Sequence, residues 1–200
     1  MFSLPPITLR LRGWKLIDRV ALAFLLSFTL VSGGLCRTAQ AAQTQGKKSQ
    51  TEQEDDIREA VLQKLMQDWV RDLDKDEAEA KNAADKESAR HYNFRIFFIE
   101  INEKDPTDEF LKRFVNIPRT LKRVSDADVR KTTRMPVVDK GTGERGIIFR
   151  VDSVRWRGTG HAKVEGGYHC DGLCGAGYTF DVRFEKDRWI VKKQKKEWIS

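Results

Sequence analysis

A change of hydrophobic period partway along this 200-residue chain limits the folds open to it. Ile57, Val61, Leu65 and Trp69 fall every four residues, with Leu62, Met66, Val70 and Leu73 beside them. That spacing draws one broad apolar face on a helix over about 52–75. Tyr92, Phe94, Ile96 and Phe98 then alternate with Phe97, Ile99 and Ile101, as in a strand buried on both faces. From Arg134 onward the period stays at two, in runs over 135–138, 147–156, 161–168, 177–185 and 188–199 broken by turn signals. Helix first and hairpin-spaced strands last predict an α+β domain rather than repeated βαβ units. The expected architecture is an N-terminal helix packed on a curved, cone-like antiparallel β-sheet meander.

Local signals refine that plan. Thr51-x-x-Glu54 fits a capping box at the head of the first helix. Residues 76–90 have helix-forming composition but almost nothing to bury, and read as an exposed connection rather than a second helix. Asp105 is placed to cap a short helix, with Pro106 in its first turn and Phe110, Leu111, Phe114 and Val115 following. Pro118 closes it.

The N-terminus reads as an address. Met1 to Arg19 holds four basic residues, Val20 to Leu35 carries no charge, and Ala39-Gln40-Ala41 is a small-x-small site. That is the pattern of a secretory signal peptide over 1–41, cleaved after Ala41. The apolar stretch is shorter than the roughly 20 residues that span a bilayer. An uncleaved signal anchor through residues 20–35 and a lipid-modified Cys36 are the alternatives, and in each case the remainder is exported, to the periplasm or beyond. Residues 42–53 (AQTQGKKSQTEQ) read as a flexible linker, leaving 54–200 as a single α+β domain.

Charge then excludes a class. The net charge is +7, but Arg10, Arg12, Lys15, Arg19 and Arg37 stand against Asp18 alone in the leader. Four of the seven excess charges therefore leave with it, and the folded part is only mildly basic, which argues against a nucleic-acid partner. Eleven Phe and five Trp argue against global disorder.

Three strings invite chemistry. Gly141-Thr142-Gly143-Glu144-Arg145-Gly146 spells GxGxxG, but Ile147 to Val151 after it reads as a strand. A dinucleotide site needs a helix there, so the string is a hairpin turn and no cofactor is expected. His169-Cys170-Asp171-Gly172-Leu173-Cys174 is denser. A metal site would want four ligands, a redox pair would more commonly be CxxC, and an oxidising compartment permits a Cys170–Cys174 disulfide stapling a Gly-rich hairpin. The disulfide is the leading reading; no metal site is assigned, and a Cys170 nucleophile aided by His169 fails because adjacent strand residues face opposite ways. Lys192, Lys193, Lys195 and Lys196 fit an edge strand guarded by charge better than a lipid-binding patch.

The string Asp105 to Leu111, the spacing Asp139-x-x-Thr142-Gly143-x-x-Gly146, Trp189-x-Val191 and the closing Trp198-Ile199-Ser200 are similar to a group of exported bacterial proteins. Over about 54–200 their layout resembles the nuclear-transport-factor-2-like (cystatin-like, SnoaL-like) superfamily, helices packed into a curved antiparallel sheet. The resemblance implies a cone interior and dimerisation through the outer face of the sheet. It transfers no catalytic residue, since superfamily members include isomerases, dehydratases and cyclases as well as binding modules. Trp156, His161, Tyr168 and Tyr178 are the groups expected to line a pocket, and Asp152 and Asp181 the nominal acid–base residues. The expected function is a non-catalytic module binding a small apolar ligand or a protein partner, with membrane contact only through the N-terminal segment. An isomerase- or dehydratase-type enzyme and a structural envelope adaptor are the alternatives.

Overall fold

The computed structural model describes residues 48–129, 132 and 135–200, the side chains of 88–90 aside. The leader with its cleavage site, anchor and Cys36 alternatives, and residues 42–47 of the expected linker, lie outside the described residues.

Helix α1 (Gln50–Glu79) is longer than its apolar period suggests. Its cap is Ser49 rather than Thr51. The Glu52 amide donates to Ser49 Oγ (3.2 Å) and the Ser49 amide donates to Glu52 Oε2 (2.8 Å). Two overlapping boxes are written here, 49–52 and 51–54, and the outer one wins because Gln50 to Gln53 are themselves competent helix formers. The helix thus starts inside the stretch read as linker. It also runs past Leu73, because once a helix is nucleated, each further residue needs only propensity, and Lys75, Glu77, Ala78 and Glu79 supply it. A second helix, α2 (Ala83–His91), follows, so most of 76–90 is helical, although residues 76–87 are exposed apart from the half-buried Ala80, as expected of a segment with almost nothing to bury.

The chain then enters strand β1 (Ile96–Ile101), whose two faces are both buried. Phe97 and Ile99 join the main core, while Ile96 and Phe98 join a second cluster on the other side with Val137 and Ile148. A short helix α3 (Asp108–Leu111) continues into a 3-10 turn at Lys112–Phe114. Its cap is Thr107, whose Oγ1 accepts from the Phe110 amide (3.1 Å). Asp105 instead accepts from the Ser125 amide (2.8 Å), holding the next segment in place. Strands β2 (Thr120–Arg123), β3 (Ala127–Val129) and β4 (Val137–Asp139) come next, then four long strands: β5 (Gly146–Gly158), β6 (His161–Asp171), β7 (Cys174–Glu185) and β8 (Arg188–Ile199).

The main sheet has the order β2-β1-β5-β6-β7-β8, with β3 and β4 forming a separate pair. The architecture is α+β as expected, with β5 to β8 an antiparallel meander. The sheet is nevertheless mixed, because β1 runs parallel to both β2 and β5. The α3 segment is the crossover that brings the chain back in the same direction, which a hairpin turn cannot do. Register shifts interrupt each pairing in the meander, including Val151/Ser153, His169/Asp171 and Asp181/Val182. Such bulges bend and twist the strands that carry them.

Helix α1 covers one face of the meander. Ile57, Val61, Leu62 and Met66 are fully buried against Phe149, Val151, Val164, Phe180 and Val182. Phe110, Phe114 and Ile117 close the same core from the α3 side. The other face of β6 and β7 is ionic: Arg155 meets Glu165, and His161 and Arg183 meet Asp181. Strand β8, with its four lysines, is the sheet edge, where the edge-guarding reading placed it.

Candidate functional site

Bordering its apolar stripe, α1 carries Asp68, Asp72 and Asp76 at four-residue spacing, alongside Leu65, Trp69 and Leu73 of that stripe. This second stripe faces Tyr168 on β6 and Tyr178 on β7. Between them lies a cavity of about 260 Å³, walled by Trp69, Tyr92, Tyr168 and Tyr178 and edged by the three aspartates. Leu65 and Leu73 of α1 and Gln194 of β8 complete its lining.

The aromatic walls are continuous. Trp69 stands edge-on to Tyr168, with centroids 5.0 Å apart, and Tyr168 is tilted against Tyr178 at 6.2 Å. Phe94 backs Trp69 at 6.1 Å in a stacked arrangement. Burial pushes the Tyr178 hydroxyl up, the neighbouring Tyr168 adds to this, and the charges of Asp68 and Asp72 add further. Burial likewise raises Tyr168. Both tyrosines therefore keep their protons at neutral pH and act there as hydrogen-bonding groups.

The four expected pocket residues are divided by the fold. Tyr168 and Tyr178 come together in the cavity, their strands pairing with both side chains on the helix side. Trp156 shares that face but sits at the other end of α1. Its Nε1 donates to Glu54 Oε1 (3.3 Å), and its ring meets Trp189 edge-on at 5.5 Å. His161 is on the opposite face, since Ala162 and Val164 take the helix side. There it bonds Asp181 (2.8 Å), whose other oxygen accepts from Arg183 Nε (3.1 Å). The His161 hydrogen bond, with help from Arg183, holds the Asp181 carboxyl below its ordinary range. The result is a surface ion-pair network, not part of the cavity.

Asp152 also belongs to the outer face, beside an open groove that Arg150, Lys163, Glu165 and Trp198 help to line. Partial burial raises its carboxyl against the pull of Arg150, and burial raises Glu100 nearby on β1. At 41% side-chain exposure Asp152 remains in contact with water.

The glycine-rich strings are structural in their geometry. In GxGxxG the chain turns between β4 and β5: the Gly143 amide donates to Asp139 O (2.7 Å), and Gly143 takes φ +74°, which suits glycine. Asp139, almost fully buried, accepts from the Thr142 amide (3.0 Å), from its hydroxyl (2.8 Å) and from Lys122 (2.8 Å). Arg145, from the same turn, reaches the cysteine hairpin. It donates to Asp171 Oδ2 (3.1 Å), lies over the Phe94 ring at 5.2 Å and contacts His91. Cys170 and Cys174 are at disulfide distance, Cα atoms 5.3 Å apart, and both are buried in the main core. His169, one residue away, pairs across from Ile148 on the far side.

The aspartate stripe is what sequence reasoning passed over. Its signal, Asp every four residues bordering Trp69, was present, but it reads as ordinary solvated helix surface until the tyrosines arrive from a hundred residues later. Compared with known proteins, the chain matches no family model, no curated protein and no solved structure.

Proposed function

We propose that this chain is an exported, non-catalytic binding module whose ligand seat is the cavity between α1 and strands β6 and β7. The observation that carries the reading is the separation of aromatic walls from tuned acids. Small-molecule sites are concave, mainly apolar and aromatic, with a few polar groups to orient the ligand. The cavity has that make-up, and its volume of about 260 Å³ suits a small ligand. The carboxyls raised by burial, Glu100 and Asp152, are on the other face of the sheet, away from it. An isomerase or dehydratase working inside the fold would want such a group at the cavity.

Export rests on the leader pattern and agrees with a cysteine pair at disulfide distance, an arrangement that persists in oxidising compartments. The long helix laid on a meander of long strands is likewise the reason to set the chain beside the nuclear-transport-factor-2-like superfamily and the group of exported proteins it resembles.

Native mass spectrometry on the unreduced protein isolated from its own host tests the reading. Expected is a species carrying extra non-covalent mass that is lost in Tyr178→Ala. A bare chain, or bound mass retained in that variant, would overturn the assignment to this cavity.

A further inference from the structure

Resting on the binding reading above, we infer that the cavity takes a small organic cation, an alkylated or quaternary ammonium group, seated against aromatic faces with carboxylates at the mouth. Trp69, Tyr92, Tyr168 and Tyr178 supply the aromatic lining. Their rings meet at angles, 66° between Trp69 and Tyr168 and 38° between Tyr168 and Tyr178, so they form walls instead of stacking shut. Aromatic faces carry the negative part of the ring quadrupole and attract a cation, most strongly where water is excluded.

Charge points the same way. Among the described residues, those lining the cavity include Asp68, Asp72 and Asp76 and no Lys or Arg. Asp68 is compensated by Lys64 and by Arg71 (2.8 Å), and Arg71 also meets Asp72 (3.0 Å). Asp76 makes no ion pair among the described residues. Like charges four residues apart destabilise a helix; Lys64 and Arg71 offset this at Asp68 and Asp72, and a cation in the cavity would offset it at Asp76 as well. The field of these groups reaches the aromatic wall, since Asp68 and Asp72 contribute to the raised Tyr178.

The spacing also selects the kind of cation. Three carboxylates at four-residue intervals spread over about 12 Å of helix axis, too far to converge on one metal ion. Among the described residues no group of three His, Cys, Asp or Glu could hold a metal. A diffuse charge on alkyl groups, by contrast, needs no converging oxygens. It is satisfied by ring faces and a negative rim.

The test uses two probes of equal shape, choline and its uncharged carbon isostere 3,3-dimethylbutan-1-ol. Each is titrated into the disulfide-intact protein, followed by calorimetry and tryptophan fluorescence. Choline is expected to bind about tenfold tighter or more. The paired change Asp72→Asn with Asp76→Asn, both at exposed positions, should remove that preference, and Asp74→Asn, exposed and off the cavity, should leave it intact. Equal binding of the two probes would overturn the cation assignment while the binding reading stood. So would an equal loss in Asp74→Asn, which would trace the preference to bulk charge. No binding of either probe across the millimolar range would overturn it as well, and the bound mass on the protein from its host decides the broader reading separately.

Discussion

The indole of Trp69 meets the ring of Tyr168 edge-on, with centroids 5.0 Å apart and planes at 66°, and so joins α1 to β6. The same indole stacks on Phe94 and stands edge-on to Phe149 at 6.4 Å, bringing β5 and the approach to β1 into one contact. A side chain with this many partners is a structural pin as well as a cavity wall.

Its buried Nε1 has no hydrogen-bond partner among the described residues. Trp69→Phe removes that unsatisfied donor together with some packing, and the two effects offset. The change should cost no more than about 1 kcal/mol, against about 3–5 kcal/mol for Trp69→Ala. Urea unfolding measures both; a phenylalanine variant as damaged as the alanine one would show that the N–H is paired after all.

The head of α1 separates two caps that look alike in sequence. Ser49→Ala removes the oxygen that accepts from the Glu52 amide and should cost about 1 kcal/mol. Thr51→Ala changes an exposed residue inside the first turn and should stay within about 0.5 kcal/mol. Denaturation midpoints of the two variants, compared directly, decide which box is in use.

The cysteine pair encloses a short loop, with a sequence separation of 4. Closing so few residues restricts the unfolded chain only modestly, so the stabilisation is about 2 kcal/mol. Full reduction should lower Tm by about 4–8 °C without unfolding the protein at room temperature. Differential scanning calorimetry with and without reductant checks this, and free-thiol titration at equal Tm would contradict it.

Asp139 gives the fold a defined acid sensitivity. The Lys122 ammonium and then Thr142 hold its carboxyl below the ordinary value of 3.8. A depressed carboxyl binds its proton more readily in the unfolded chain, so its contribution is complete above that ordinary value. It fades as pH falls past 3.8 and through the lower folded value. Urea midpoints measured downward from neutral pH should therefore drop more steeply in the native protein than in Asp139→Asn. Parallel curves would remove Asp139 from the acid response.

Much of the architecture was legible from local pattern. The strand at Ile96–Ile101 announced burial on both faces through Phe97, Phe98 and Ile99, and each of these is fully buried, the two faces in separate clusters. The GxGxxG string was readable as a turn because a strand, not a helix, follows it. Local competition set the misses. Asp105 and Thr107 could each cap α3, and the side chain one turn ahead of Phe110 prevailed while Asp105 was taken by Ser125. The lining of the cavity was legible only in part. Tyr168 and Tyr178 were named from the strands, but His161 was assigned to the same pocket although its strand neighbours turn it outward.

The sequence by itself determined the class: a helix whose apolar stripe needs a sheet, strands at hairpin spacing, and glycine-bearing turns between them. These follow from periodicity and backbone preference, which act over a few residues. Tertiary structure alone decided that β1 lies parallel between β2 and β5, and that the aspartates of α1 face tyrosines from β6 and β7. The reason is range: strand order and the meeting of two polar stripes depend on which distant segments bury each other's apolar faces, and no local pattern carries that information.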